Sequence, residues 1–206
     1  MTPYDILRLK THLGMTSGQF LARYTVHHTG PESGLPVVTL KPADSRDLRC
    51  PFVTPEGCSV YEDRPSSCRM YPLVRAVSRS RATGEFIERF MLLKEPHCLG
   101  FEQGTPRSAR QWIEDQEIAV YNENNDKLLR IISLKNKRMP GVLDLQSRHL
   151  FFTALYDLDT FRSRIINNKL PGFPMDSEVM ENALEDDVAL LEVGMKWIAR
   201  VIFNQA

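Results

Sequence analysis

The 206-residue chain has no excess of either charge: 26 Lys and Arg stand against 26 Asp and Glu. That balance removes the global electrostatic basis for binding nucleic acid or an anionic membrane surface. No stretch approaches the roughly 18 consecutive apolar residues of a transmembrane helix. The opening Met1-Thr2-Pro3-Tyr4-Asp5-Ile6-Leu7-Arg8 has neither the basic start nor the apolar core of a secretion signal. Together these absences predict a cytoplasmic protein, in a compartment where thiols stay reduced. There is no HExxH, no GxSxG, no P-loop and no GxGxxG, so the common zinc-protease, serine-hydrolase and nucleotide-binding signatures are missing. Disorder along the whole chain is excluded by 42% hydrophobic and 25% charged residues, both ordinary globular values.

Cysteine is present, but only in one region. The four cysteines are spaced Cys50-x7-Cys58-x9-Cys68-x29-Cys98, and none follows Cys98. Thiolates are soft ligands that suit zinc, Cu(I) and iron–sulfur clusters, and four of them close a tetrahedral site. No CxxC knuckle is present, so the spacing leaves three readings open: a shared metal site, small buried hydrophobes, or disulfides. Local context favours ligation. Gly57 lets the backbone turn tightly beside Cys58. Arg64-Pro65-Ser66-Ser67 reads as a helical turn whose backbone N–H groups offset charge on Cys68. Arg64 and Arg69 are candidates for doing so from further away. His97 adjoins Cys98, but neighbours seldom both face one metal, so it is expected beside the site or on the surface. His27-His28 is expected in a solvated loop, and Glu185-Asp186-Asp187 on a solvated helix face.

The pattern along the chain predicts an α+β fold. Thr2, Pro3 and Asp5 form a helix start with a capping box, and Ile6, Leu9 and Leu13 give its apolar face up to Gly14. Thr16 with Gln19 opens a second helix bearing Phe20, Leu21 and Tyr24. Residues 29–36 read as a loop and Val37–Leu40 as a strand. Residues 41–70 hold four prolines and three cysteines with little periodicity. Such a segment buries little by itself, and a metal would hold it. Tyr71–Ser80 and Glu85–Leu93 read as a hairpin around Ala82-Thr83-Gly84. Beyond Gly104 everything is helical. A long helix capped at Thr105-Pro106 ends at Met139-Pro140-Gly141. Helices follow over Asp144–Tyr156 and Asp157–Asn167, then a turn at Pro171-Gly172-Phe173-Pro174 and one long helix over Asp176–Phe203. The expected organisation is residues 1–104 as a small sheet with cysteine-rich loops and N-terminal helices, and 105–206 as a helical bundle.

Three strings carry a resemblance. They are Cys50-Pro51-Phe52, Gly57-Cys58-Ser59-Val60-Tyr61 and Arg64-Pro65-Ser66-Ser67-Cys68-Arg69-Met70-Tyr71-Pro72. With Pro96-His97-Cys98 and Thr2-Pro3-Tyr4-Asp5-Ile6, they resemble bacterial YkgJ-type cysteine-cluster proteins over residues 1–104. That group is also called the CxxCxxCC zinc- or iron-chelating domain, and flagellin lysine N-methylase belongs to it. The family usually carries an earlier CxxCxxCC-like run just before the "TPYDI" helix. This chain has none, and the expectation is that the protein starts upstream of Met1.

The resemblance implies an iron–sulfur cluster or zinc bound by Cys50, Cys58, Cys68 and Cys98. For one branch it implies S-adenosylmethionine-dependent methylation of flagellin lysines, although no glycine-rich nucleotide loop is visible. Arg64, Arg69 and Arg75 offer an anionic cofactor or substrate a cationic run. The third expectation is a zinc-stapled interaction module. The expected partner is a protein, with neither nucleic acid nor membrane.

Overall fold

The computed structural model describes residues 1–204 except 32, 81–82, 103, 168 and 171–176. It is α+β as expected, helical for the most part, with three small two-stranded sheets among the described residues. The chain divides into two compact units, Met1–Pro65 with Glu123–Ala206, and Ser66–Asn122.

In the first unit, α1 (Pro3–His12) starts with Pro3 at its first turn and a complete capping box. The Thr2 N–H donates to Asp5 Oδ2 at 2.8 Å, and the Asp5 N–H returns to Thr2 Oγ1 at 3.3 Å. α2 (Ser17–Tyr24) repeats the device with Thr16 and Gln19. Each box satisfies backbone donors that a helix start leaves without intrahelical partners. α1 buries Ile6, Leu7 and Leu9, and α2 buries Phe20 and Leu21.

The C-terminal helices of this unit are α6 (Leu145–Leu155), α7 (Leu158–Ile166), α8 (Ser177–Glu185) and α9 (Asp187–Val201). Asp144 and Asp157 cap α6 and α7, where the sequence places their starts. The core is made of Phe151, Leu155, Phe161, Leu190, Trp197 and Ile198, all at most 2% exposed. The rings of Phe161 and Trp197 lie 5.8 Å apart, a tilted pair. Gly194 is required where α9 meets α6, because a Cβ there would stand well inside contact distance of the Ala154 carbonyl oxygen.

Strands β1 (Thr25–Thr29) and β2 (Pro36–Leu40) pair antiparallel from Thr25↔Leu40 to Thr29↔Pro36, and Val38 is fully buried. Lys135 of α5 (Ala119–Arg138) is also fully buried and donates to the carbonyls of Ser33 and Gly141. It thereby ties the β1–β2 turn to the segment leading into α6.

The second unit contains α3 (Ser66–Met70), the antiparallel ribbon of β5 (Leu73–Arg79) and β6 (Phe86–Leu92), α4 (Ala109–Asp115) and the first residues of α5. The ribbon appears where the sequence places it. Trp112 Nε1 donates to the Met70 carbonyl at 3.1 Å, and Ile118 and Tyr121 are buried.

Several expectations are corrected. His27 and His28 lie in β1 rather than in a loop, with exposed side chains, and the His27 ring is 4.9 Å from that of Phe152. The helix expected from Thr105 onward is two helices. Ser108, not Thr105, caps α4 because Gln111 completes a capping box with it, and Glu117 at φ 51 breaks the chain before α5. The final helix is also two. Asp186 takes an extended conformation between α8 and α9, and its carboxylate accepts the Ala189 N–H at 2.7 Å. Asp187 is not on a solvated face, since it pairs with Lys10 and Arg162. The expected turn at 171–174 lies outside the described residues.

Candidate functional site

Two of the four cysteines belong to each unit, and none is in a disulfide. In the first unit, Cys50 opens a turn closed by the Val53 N–H donating to the Cys50 carbonyl at 3.3 Å. The chain then makes a minimal hairpin, β3 (Val53–Thr54) against β4 (Gly57–Cys58), with Val53 opposite Cys58. Gly57 adopts φ 125, a value that strains any residue with a Cβ, which matches the role read for it beside Cys58. Two strand residues on each side give little stability. The hairpin is fixed by the buried flanking side chains Phe52 and Val60, and the Phe52 ring lies 4.9 Å from that of Tyr24. Cys50 and Cys58 are half-buried.

The residue after Cys58 is attached to α1. His12 Nε2 lies 3.1 Å from the Ser59 carbonyl, and His12 Nδ1 lies 2.9 Å from Asp63 Oδ2. Arg8 Nε donates to the other oxygen of Asp63 at 2.7 Å. Burial pushes the Asp63 carboxyl up, but Arg8 and His12 outweigh it and hold it below its ordinary value. Arg64 donates to the Tyr61 carbonyl at 2.5 Å and lies 3.8 Å over the Tyr61 ring, a cation–π contact.

In the second unit, Cys68 is exposed and sits in the middle of the five-residue α3, which starts at Ser66 rather than at Arg64, so the helical turn read over Arg64–Ser67 is shifted two residues along the chain. Arg69, the next residue, is buried. Its guanidinium donates to the Gln116 carbonyl at 2.8 Å, stands 3.8 Å from Glu117, and lies 5.0 Å from the Tyr121 ring.

Cys98 follows β6 in a turn closed by its own N–H donating to the Glu95 carbonyl at 3.0 Å. The Tyr71 hydroxyl lies 3.5 Å from His97 Nε2, and the two rings stack at 6.4 Å. Burial first, then Cys98 and Glu95, push the Tyr71 phenol above its ordinary value. His97 is exposed and flanks Cys98, as expected of it.

Thiols fit zinc and iron by chemistry. By number, each unit offers two, half of a closed tetrahedral set. Within either unit, among the described residues, no three His, Cys, Asp or Glu side chains gather closely enough to hold a metal ion. Tyr71, His12, Asp63 and Arg8 are the neighbours of the thiol segments to which the sequence pattern assigns no role. Only Tyr71 carries a signal, as part of the Cys68-Arg69-Met70-Tyr71-Pro72 string.

Residues 1–99 match the model of one family, described as "CxxCxxCC: Putative zinc- or iron-chelating domain". The matched stretch contains all four cysteines. No curated protein and no solved structure matches the chain.

Proposed function

We propose that this chain, whose residues 1–99 match the model of the CxxCxxCC family, is a cytoplasmic metal- or iron–sulfur-binding protein of the bacterial YkgJ type. Cys50, Cys58, Cys68 and Cys98 are its ligands. The observation that carries this reading is that a family described by zinc or iron chelation covers all four cysteines, and that none of them is in a disulfide. Three are half-buried and one is exposed, which leaves their sulfurs more accessible than core hydrophobes. Among the described residues no helix is long and apolar enough to cross a membrane.

Arg64 and Arg69 adjoin the Cys58 and Cys68 segments and contribute positive charge that offsets thiolate charge. The partner is a protein, and neither nucleic acid nor membrane is engaged, in keeping with the neutral charge balance. Elemental analysis of anaerobically purified protein tests the reading. The expected result is zinc or iron approaching one centre per chain. Less than about a tenth of an equivalent of either would overturn it.

A second reading rests on the β3–β4 hairpin, whose two-residue strands are too short to be stable alone. Here zinc would only staple the loop-rich region of an interaction module. Zinc with no visible absorbance supports this reading, and iron with cluster absorbance supports the first. A lysine methyltransferase reading has only the family resemblance behind it. A flagellin whose mass is unchanged after incubation with the protein and S-adenosylmethionine would remove it.

A further inference from the structure

We propose that the cleft between the start of α2 and the polar face of α7 binds a small phosphorylated polyol. Arg164 and Lys169 hold its phosphate at one end, and Asp157, Thr160 and Ser163 take its hydroxyl groups along the helix.

Two faces of α7 differ in kind. Leu158 and Phe161 are buried in the core. Asp157, Thr160, Arg164 and Asn167 recur three or four residues apart, the spacing of one helix face, and line a cleft of about 660 Å³ with Thr16 and Gly18 of the α2 start. That volume suits a small organic molecule. Gly18 adds no side chain to the wall opposite α7, which keeps the cleft open.

The charges in the cleft are unevenly compensated. Asp159 is neutralised by Lys10 at 3.2 Å and Arg162 at 3.0 Å, and it accepts the Ser17 N–H. Asp157 engages only Oδ1, which accepts the Ser17 hydroxyl at 3.0 Å and the Thr160 N–H at 3.4 Å. Its Oδ2 has no donor among the described residues. At the other end, Arg164 reaches His149 Nε2 through one nitrogen at 2.9 Å. Lys169 Nζ has no partner among the described residues. The Lys169 N–H donates to the Arg164 carbonyl at 2.9 Å, which turns the chain back and keeps both cations at the C-terminal end of α7.

Arg164 presents a planar guanidinium and Lys169 a point charge. Together they match a phosphate monoester, which carries about −1.5 to −2 at neutral pH. Asp157 stands about 10 Å of helix away from Arg164 and repels a bare anion. The part of the ligand at that end must therefore bring donors. A hydroxyl group donates to Asp157 Oδ2, and the Thr160 and Ser163 hydroxyls both donate and accept. A phosphorylated polyol meets both ends of the cleft, whereas phosphate alone meets one.

Calorimetric titration of the full chain with glucose 6-phosphate, glucose and inorganic phosphate reads the two ends separately. Glucose 6-phosphate should bind at least about tenfold more tightly than either of the others. Arg164→Gln and Lys169→Gln should each weaken it about tenfold, the scale of one lost charge-assisted hydrogen bond. Thr160→Val should weaken glucose 6-phosphate about threefold and leave inorganic phosphate unchanged. Failure of glucose 6-phosphate to bind at millimolar concentration would overturn the proposal. So would equal affinity for inorganic phosphate, or an affinity that survives both charge substitutions. Arg164→Gln also removes a bond to His149. If its melting temperature falls, Lys169→Gln decides, since that side chain has no bond within the described residues to lose. No thiol takes part, so the outcome stands apart from whether the protein binds metal.

Discussion

Lys10 Nζ lies 2.6 Å from Asp187 Oδ2, joining the last turn of α1 to the first residue of α9. Lys10 is 6% exposed and also reaches Asp159 at 3.2 Å, while Arg162 takes the other oxygens of both carboxylates. Ser17 completes the group, its N–H donating to Asp159 at 2.6 Å. Four helices thus meet at one neutralised polar cluster. A charge placed so deep is tolerated because partners surround it. Asp187→Asn leaves Lys10 with one carboxylate instead of two and should cost roughly 3 kcal/mol in urea unfolding at neutral pH.

The same cluster fixes the response to acid. Burial raises the Asp159 and Asp187 carboxyls, but Ser17 and Lys10 at the first, and Lys10 and Arg162 at the second, bring both below their ordinary values. A carboxyl depressed in the folded state contributes stability that is complete above its unfolded value and lost as pH falls through the folded one. Stability should therefore decline from about pH 5 downward. The decline should be shallower in Asp187→Asn, as read by urea midpoints between pH 7 and pH 3. Parallel curves for the two proteins would contradict this.

Gly194→Ala adds a methyl where α9 passes closest to α6, and the new Cβ would collide with the Ala154 carbonyl oxygen. The obstacle is backbone, so the helices must separate. Alanine's helix propensity returns up to about 1 kcal/mol, and overpacking costs about 1–3 kcal/mol. A lower melting temperature is expected, together with altered near-ultraviolet circular dichroism from Trp197, which is buried in the same helix.

Much of this architecture is legible in the sequence where the determinant is local. Thr2, Thr16, Asp144 and Asp157 each cap a helix through a bond spanning three residues, and all four starts lie where the pattern places them. Competing local signals are harder. Thr105-Pro106 resembles a start, yet Ser108 has the glutamine three residues on that completes a box. β1 escapes the pattern because Thr25-Val26-His27-His28-Thr29 holds one apolar residue, and its strand character comes from pairing with β2. Asp187 reads as solvated until Lys10 arrives from the other end of the chain. At the candidate site the thiols and Gly57 are legible by residue type. Tyr71's stacking on His97 is not, since it depends on the ribbon closing its two ends.

The His12 and Asp63 contacts give a prediction for the Cys58 segment. Asp63→Asn weakens the partner of Arg8 and His12 that holds the 3-10 turn Tyr61–Asp63 to α1. The loss of about 1 kcal/mol of local stability corresponds to about fivefold more frequent opening. Alkylation of Cys58 should rise by that factor while Cys98 is unaffected. Equal rates at Cys58 would show that the contact does not restrain the hairpin.

The most direct measurement of the central claim is the metal content of four single variants, Cys50→Ser, Cys58→Ser, Cys68→Ser and Cys98→Ser, purified without oxygen beside the wild type. If the four thiols hold one centre, each substitution lowers zinc or iron to a similar small fraction of the wild-type value. Metal retained in full by any one variant, or by all of them, would contradict a shared four-thiol centre.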